Sequence, residues 1–468
     1  MELLVLINSK VGAFVWGPIM LTLLLGTGLY LSIRGGFIQF RHFAFALKKT
    51  LGSLFGSKKG REREAHNISP FQAVSTALAS TVGTGNIVGV ATAITLGGPG
   101  AVFWMWVSAL LGMMTKYSEI VLAVKFREKN KRGEYVGGPM YYIANGLKIP
   151  WLGAAFAFFA AFASFGIGNM TQANSIAGAV ESSFGVSPTI TGVVLAVIVA
   201  IVIIGGINSI ARVTEIIVPG MALFYITFSL IVLVLHAAYI PEAIKLIFTC
   251  AFAPQSVLGG GVGYTLLLAI RYGVARGVFS NEAGLGSAPI AHAASSTKEP
   301  VEQGLWGIFE VFIDTIVVCS MTALVILTTI DSAGRFVWQD PNLEGAALTL
   351  TAFKHGLPGN FGAIGLTLGL TLFAVSTIFG WSYYGDKAVE YLFRKTRFTA
   401  QASLVYRLIF VCAVFLGSIG GLHLVWDIAD TLNGLMAIPN LIGVLLLSGV
   451  VIKETKSYFS RLKNGSLD

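Results

Sequence analysis

Charge is scarce in this sequence. Only 12% of its residues are Asp, Glu, Lys or Arg, which is about half the share that is usual in a soluble domain. Hydrophobic residues make up 55% of the chain, and the mean hydropathy is +0.76. This balance excludes an ordinary solvated surface. It predicts an all-α polytopic membrane protein whose outer face contacts lipid.

Cysteine is also scarce, which argues against a disulfide framework. The three cysteines, Cys250, Cys319 and Cys412, lie in or beside apolar stretches without paired spacing. We interpret them as core residues with no disulfide or metal role. The sequence also lacks a recognisable metal-ligand cluster or nucleophile–base pair, so we predict that the protein is not an enzyme.

Long apolar stretches, by contrast, are abundant. A membrane-spanning helix needs about 20 mostly apolar residues, and we predict eleven such spans. They lie near residues 12–33, 70–96, 100–124, 151–180, 188–206, 213–238, 262–293, 304–330, 360–385, 404–420 and 424–451. Between them, Leu343–Lys354 is predicted to form a helical lid on the surface, and Tyr135–Leu147 an elbow at the membrane interface.

Basic residues collect on one side of these spans, and this sets the predicted orientation. Four segments are rich in lysine and arginine: Arg34–His66 holds eight, Lys125–Lys148 six, Lys387–Arg407 five and the tail after Ile452 four. The other side carries only Lys10, Lys245, Arg335 and Lys354. We expect a cell-membrane protein with its N-terminus outside and its C-terminus in the cytoplasm. The net charge of +9 then serves contact with anionic lipid and not with nucleic acid.

Two spans are interrupted by glycine and polar residues at matching positions. The second span contains the break Ala79–Asn86, and the seventh contains Gly277–Gly286. Paired interruptions of this kind point to the binding site of a transporter. We therefore predict four parts. They are an extra N-terminal helix at 1–33, a five-helix repeat at 67–240, an inverted five-helix repeat at 260–451 and a cytoplasmic tail at 452–468.

The chemistry of an unwound helix suits a zwitterion. Its free N–H groups attract a carboxylate, and its free carbonyls attract a cation or an ammonium group. Such backbone survives at membrane depth only inside protein or beside a cavity. A small amino acid together with Na⁺ would satisfy both ends. The alternative for the glycines alone, at Gly85 and Gly89, is close packing between helices.

The most specific motif follows the first break. The segment Gly97–Gly112 reads GGPGAVFWMWVSALLG and resembles the signature of the alanine or glycine:cation symporter family, the sodium:alanine symporters. The similarity extends over essentially the whole chain. It implies uptake of alanine or glycine by a monomer, with Na⁺ as the coupling ion, and a leucine-transporter-type fold with one extra N-terminal helix. An ion channel, or a transporter of another small solute, is the alternative.

The leucine-transporter-type fold implies ligands for two sodium ions. Its first broken helix has a pattern that matches Thr81–Asn86, with Thr81 in place of an alanine. On this pattern one ion takes the Thr81 carbonyl, the Asn86 side chain and the Ser280 hydroxyl. A second ion takes two carbonyls and two hydroxyls, those of Ala79, Val82, Ser376 and Thr377. The alternative for the two hydroxyls is bonding to their own helix.

Asp314 lies in the middle of the eighth span, where a carboxylate is costly and usually functional. We expect it to complete the first ion site; the alternative is an ion pair with Arg271 or Arg276. The substrate is expected to contact residues in or beside the two breaks, namely Thr84, Gly85, Gln172, Phe279, Asn281 and Trp381. This bulky lining predicts a pocket for alanine, glycine or serine.

Alternating access requires a closure on one side of the site. Arg276 precedes Phe279 by one helical turn, and Asp427 and Asp430 share one face of the eleventh span. We predict that Arg276 pairs with Asp430, or with Asp427, when the outer path is closed. A permanent structural ion pair is the alternative.

Overall fold

The computed structural model describes residues 2–55, 67–252, 265–420 and 423–465. These residues are mostly helical, and their strands form one two-stranded antiparallel hairpin of Glu128–Lys129 and Tyr135–Val136. The predicted helical class is thereby confirmed. Some predicted segments lie partly outside the described residues. They are residues 56–66 of the first basic loop, 260–264 of the second repeat, 421–422 before the eleventh span and 466–468 of the tail.

The helices of the amino-terminal half are α1 Glu2–Val15, α2 Pro18–Gly35, α3 Ile38–Arg41, α4 Phe43–Phe55, α5 Pro70–Thr81, α6 Val88–Gly97, α7 Ala101–Lys125, α8 Pro139–Gly146, α9 Pro150–Phe165, α10 Thr171–Phe184, α11 Pro188–Ile204, α12 Gly206–Leu235 and α13 Ile240–Cys250. Several begin with proline, which is favourable there because its missing N–H would have no partner within the helix.

The helices of the carboxyl-terminal half are α14 Leu266–Asn281, α15 Ala288–Ala293, α16 Pro300–Val311, α17 Ser320–Thr328, α18 Gly345–Gly356, α19 Phe361–Phe393, α20 Thr399–Ile419, α21 His423–Leu446 and α22 Ser448–Lys463. Single turns of 3₁₀-helix lie at Thr84–Asn86, Ala237–Tyr239 and Val337–Gln339, and π-helical turns at Gly166–Met170 and Phe312–Cys319.

Within the described residues, eight helices are long and apolar enough to cross a membrane. A ninth span arises if Pro70–Thr81 and Thr84–Gly97, which are bent by 56° at the break, count as one. The first stretch, Val5–Gly35, begins earlier than the predicted 12–33. The apolar helix α11 is shorter, with 17 residues. The count of eleven spans and the inverted repeat therefore stay predictions.

The outward faces of the bundle are apolar. Large aliphatic side chains are exposed along α11 and α12, among them Ile201, Ile204, Ile216 and Leu223. A water-soluble protein rarely exposes so much adjoining apolar surface. These faces therefore contact lipid, and the polar side chains discussed below lie inside the bundle.

The second break begins later than predicted, at Glu282 and not at Gly277. Helix α14 continues to Asn281. The next residue, Glu282, adopts a left-handed backbone with φ of 56°. Two glycines follow with φ of 93° and 81°, Gly284 and Gly286. Glycine adopts these angles without a steric penalty, so the glycines form the turn after the helix and do not interrupt it earlier.

The predicted lid and elbow are both present as short elements. Helix α18 covers most of Leu343–Lys354, and it is firmly packed, since the ring of Phe353 stacks on Phe228 with centroids 5.5 Å apart. The hydroxyl of Thr349 donates to the carbonyl of Ile87 at 3.2 Å. The predicted elbow consists of the second strand of the hairpin followed by α8.

The interpretation of the cysteines is correct for two of the three. Cys250 and Cys319 are buried, but Cys412 is exposed, so its assignment to the core is wrong. Helix α20 buries the face that carries Phe410 and Val414. Cys412 lies on the other face, where an apolar residue contacts lipid and not the core.

Candidate functional site

The first break joins α5 to α6. Helix α5 begins at a capping box, in which Ser69 and Gln72 exchange side-chain to backbone hydrogen bonds. After the helix ends, the N–H of Gly83 donates to Oδ1 of Asn86 at 2.9 Å. The single 3₁₀ turn Thr84–Asn86 then leads into α6. The break thus holds the side chain of Asn86 against its own backbone in a fully buried position.

The two breaks lie against each other at Gly85. A methyl group on Gly85 would lie 3.3 Å from the Cα of Ser280 and 3.4 Å from the ring of Phe279. Ser280 and Asn281 are buried and Phe279 is half-buried in the last turn of α14. The absence of a side chain at Gly85 therefore permits this close approach of the first break to α14.

Asp314 connects the first break to the last turn of α14, just before the second break. Its carboxylate accepts hydrogen bonds from Nδ2 of Asn86 at 2.7 Å and from the hydroxyl of Ser280 at 2.9 Å. The hydroxyl of its neighbour Thr315 donates to it at 2.7 Å. Asp314 is fully buried in the π-helical turn Phe312–Cys319, and such turns are frequent at functional sites. The predicted first-ion side chains Asn86, Ser280 and Asp314 thus form one cluster.

The carbonyls predicted for the two ions belong to the end of α5. The N–H of Val82 closes that helix by donating to the carbonyl of Leu78 at 2.8 Å, and the hydroxyl of Thr81 bonds back to the carbonyl of Ala77 at 3.3 Å. The last carbonyls of a helix have no N–H partner within it. Those of Ala79, Thr81 and Val82 lie in or beside this last turn.

The two hydroxyls predicted for the second ion reach the same helix end. The hydroxyl of Ser376 donates to the carbonyl of Ala79 at 3.3 Å. A methyl group on Gly83 would lie 2.4 Å from the hydroxyl oxygen of Thr377. Both hydroxyls also bond to the carbonyl of Phe373 in their own helix, at 2.8 and 2.9 Å. The predicted alternative, bonding to their own helix, is therefore observed, and the second ion site stays a prediction.

Gln172 and Trp381 each contact one break. Oε1 of Gln172 accepts from the N–H of Thr84 at 3.4 Å. The indole N–H of the buried Trp381 donates to Oε1 of Glu282 at 3.0 Å. A methyl group on Gly168 would lie 2.2 Å from the Trp381 side chain, so the π-helical turn in the fourth predicted span accommodates the indole.

Sequence reasoning missed a buried polar cluster beside these residues. Nζ of Lys116 in α7 lies 2.6 Å from Oε1 of Glu310 in α16, and Nε2 of His292 lies 3.0 Å from the other oxygen of Glu310. All three side chains are fully buried. The signal was available, because a lysine inside an apolar span is as costly as the carboxylate of Asp314.

Arg271 and Arg276 lie elsewhere, and no ion pair joins either of them to Asp314 in the described parts of the chain. They line a cavity of about 410 Å³, together with Asp427 and Asp430. We call this space the Arg276 cavity. No ion pair within 4.0 Å joins the two arginines to the two aspartates among the described residues, so the predicted gate pair is apart and stays a prediction.

Arg276 does contact Phe279. Its guanidinium carbon lies 5.7 Å from the centre of the Phe279 ring, which also lines the Arg276 cavity. The predicted one-turn spacing of these two side chains is therefore observed. Phe279 lies between the cavity and Gly85, so it separates the Arg276 cavity from the place where the two breaks meet.

A helical membrane bundle in which a broken helix lies beside the end of a second broken helix is the arrangement found at the binding site of secondary transporters. Solved transporters share the fold: MhsT in complex with L-phenylalanine has a TM-score of 0.54 at 14% identity, over 85% of this chain and 99% of that one. The chain belongs to the sodium:alanine symporter family, which it matches over residues 1–468. The predicted family and leucine-transporter-type fold are thereby confirmed.

Several relatives match over nearly their whole length. The sodium/alanine symporter AgcS of Methanococcus maripaludis is 52% identical over 99% of both chains. The amino-acid carrier protein AlsT of Bacillus subtilis is 38% identical over 97% of this chain and 91% of its own. The probable sodium/glutamine symporter GlnT of the same organism is 37% identical over 96% and 90%. Family membership makes this chain a sodium-coupled amino-acid transporter and not an enzyme.

Proposed function

We propose that the protein carries alanine or glycine into the cell together with Na⁺, by alternating access, as a monomer in the cell membrane. The observation that carries this proposal is the position of Asp314. Its buried carboxylate bonds to Asn86 in the first break and to Ser280 in the last turn of α14, just before the second break. A ligand at this carboxylate therefore acts on the first break and on the end of α14 at once.

The charge of Asp314 supports a cation as that ligand. Its three donors are neutral amide and hydroxyl groups, so a negative charge on this carboxylate would have no cationic side chain within 4.0 Å among the described residues. Glu310 on the same span differs, because the ammonium of Lys116 neutralises it at 2.6 Å. An unpaired charge at membrane depth is costly. A Na⁺ ion beside Asp314 removes that cost and stabilises the contact between the breaks.

The two helix ends offer opposite poles to an amino acid. The 3₁₀ turn at the first break offers N–H groups, including that of Gly85, to a carboxylate. The last turn of α14 offers the carbonyls of Phe279 and Ser280 to an ammonium group, because they have no partner within the helix. The close contact between Gly85 and Phe279 favours a substrate with a small side chain. Asn281, Thr84, Gln172 and Trp381 would surround it.

Ion and substrate binding would then be coupled through a shared structure. Na⁺ at Asp314 holds Asn86 and Ser280 together, and the amino acid binds between the same two segments. Each ligand therefore raises the affinity for the other, as thermodynamic linkage requires. A second Na⁺ would bind at the end of α5 through the Ala79 and Val82 carbonyls, with Ser376 and Thr377.

Transport by purified protein in liposomes tests this function. With Na⁺ higher outside, we expect radiolabelled alanine to accumulate above its outside concentration, and to equilibrate only when K⁺ replaces Na⁺. Excess glycine or serine should suppress uptake. Leucine and glutamine should compete poorly, because one surplus methylene in such a pocket costs about 1–3 kcal/mol.

Two results would count against the proposal separately. Equal competition by leucine and alanine would show that the pocket is not small, while leaving Na⁺ coupling intact. Uphill accumulation without a Na⁺ gradient would remove the coupling itself. Repeating the assay with a proton gradient in place of the Na⁺ gradient shows whether H⁺ can replace Na⁺.

A further inference from the structure

A buried ion pair lies between the two helix breaks. Nζ of Lys116 and Oε1 of Glu310 are 2.6 Å apart, and neither side chain has any exposed surface. Two charges at membrane depth are costly even when paired, because desolvation offsets much of their attraction. The pair therefore contributes little to the stability of the fold by itself. Its contacts with the two helix ends indicate a further role.

Each member of the pair contacts one break. Nζ of Lys116 donates to the carbonyl of Asn281 at 2.7 Å, at the end of α14. Oε1 of Glu310 lies 3.5 Å from the hydroxyl oxygen of Thr81, at the end of α5. The ion pair thus bridges the two helix ends between which we place the substrate.

The carboxylate of Glu310 is fully partnered. Nε2 of Gln303 lies 2.8 Å from Nδ1 of His292, and an amide nitrogen can only donate. Nδ1 therefore accepts, and the other ring nitrogen, Nε2, carries the proton that it donates to Glu310 at 3.0 Å. Lys116 and His292 each occupy one of the two oxygens. Glu310 thus differs from Asp314, which keeps its charge available for an ion.

We propose that Lys116 is a substrate-positioning residue. Its ammonium holds the carbonyl of Asn281 and so fixes the last turn of α14, whose other carbonyls would bind the substrate's ammonium group. A cation is favoured at this carboxyl-terminal end of a helix. The side chain of Asn281 is fixed from the other direction, since its Nδ2 donates to the hydroxyl of Thr315 at 3.1 Å. Thr315 is the neighbour of Asp314. The two contacts of Asn281, with Lys116 and with Thr315, therefore also set the distance between the end of α14 and the ion site. This inference rests on the proposed function.

The test removes the charges in pairs, because a single change would leave an unpaired buried charge. Lys116→Met with Glu310→Gln removes the donor to Asn281, whereas Lys116→Gln with Glu310→Gln leaves an amide N–H that can still donate to it. Radiolabelled alanine binding to the purified full-length protein in saturating NaCl, and thermal unfolding in detergent, are measured for each variant. The matched control is Arg407→Met with Asp386→Asn, which neutralises another largely buried pair, 2.7 Å apart, away from the breaks.

We expect the methionine double variant to unfold near the wild-type temperature and to bind alanine at least tenfold more weakly. The glutamine double variant should recover most of that loss, and the control should bind as wild type does. A folded methionine variant with wild-type alanine affinity overturns the proposal. So does failure of both Lys116 double variants to fold, since the pair is then structural. If wild-type protein itself shows no Na⁺-dependent alanine binding, the proposed function fails, and the positioning role that rests on it fails with it.

Discussion

Replacing Asp314 by asparagine is expected to abolish Na⁺-driven accumulation of alanine, or to raise the Na⁺ concentration for half-maximal uptake by at least about tenfold. The amide keeps the size of the side chain but removes the charge that we assign to the cation. Hydrogen bonds to a charged group contribute about 1.5–3 kcal/mol, and about 1.4 kcal/mol corresponds to a tenfold change in affinity. Because Asp314 bonds to the first break and to the end of α14, alanine affinity should fall with Na⁺ affinity.

Asp331→Asn is the matched control for this variant. Asp331 lies in a loop, where its carboxylate pairs with Arg335 at 2.8 Å, and its replacement should leave uptake unchanged. Initial rates of alanine uptake over a series of Na⁺ concentrations compare the two variants at equal expression. An Asp314→Asn protein with an unchanged Na⁺ dependence would show that this carboxylate does not bind the coupling ion.

Gly85→Ala should change substrate preference as well as rate. The added methyl group would lie 3.3 Å from the Cα of Ser280 and 3.4 Å from the ring of Phe279, so it enters the space that we assign to the substrate. Alanine uptake should fall by roughly 10-fold or more, as for one surplus methylene in a closed pocket. Glycine is smaller by one methyl group, so it should lose less, and the preference for glycine over alanine should rise.

Gly89→Ala provides the comparison on the same broken helix. The nearest atom to a methyl group there is Cδ of Arg276, at 4.0 Å, so this variant should transport both substrates normally. Competition between glycine and alanine measures the preference in each variant. If Gly85→Ala slows both substrates equally, Gly85 serves only the packing between helices and does not line the pocket.

The breaks and the buried carboxylate were predictable because their signals are local. Gly83, Gly85 and Asn86 interrupt an apolar stretch, and the structure bends there by 56°. Asp314 stands alone in an apolar span, and the cost of that position marks it as functional. Its partners Asn86 and Ser280 are 228 and 34 residues away from it in the chain, so their proximity to Asp314 was predictable only from the family resemblance and not from a local pattern.

Other features depend on tertiary contacts and escaped prediction. The second break was placed at Gly277, but that glycine packs within α14, where a methyl group would lie 2.3 Å from the hydroxyl of Ser108. Its role is close helix contact, and the turn begins at Glu282. The assignment of Cys412 to the core is wrong because an apolar face of a span can contact lipid as well as the core. Lys116 was overlooked although its own span is apolar.

We infer that the two breaks and Asp314 bind Na⁺ and a small amino acid together. The entry of radioactive sodium into liposomes that contain the purified protein tests this directly. We predict that external alanine accelerates sodium entry with saturation, that leucine does so weakly, and that Asp314→Asn removes the alanine-dependent part. Sodium entry that is independent of alanine, or alanine entry without sodium, would contradict the account.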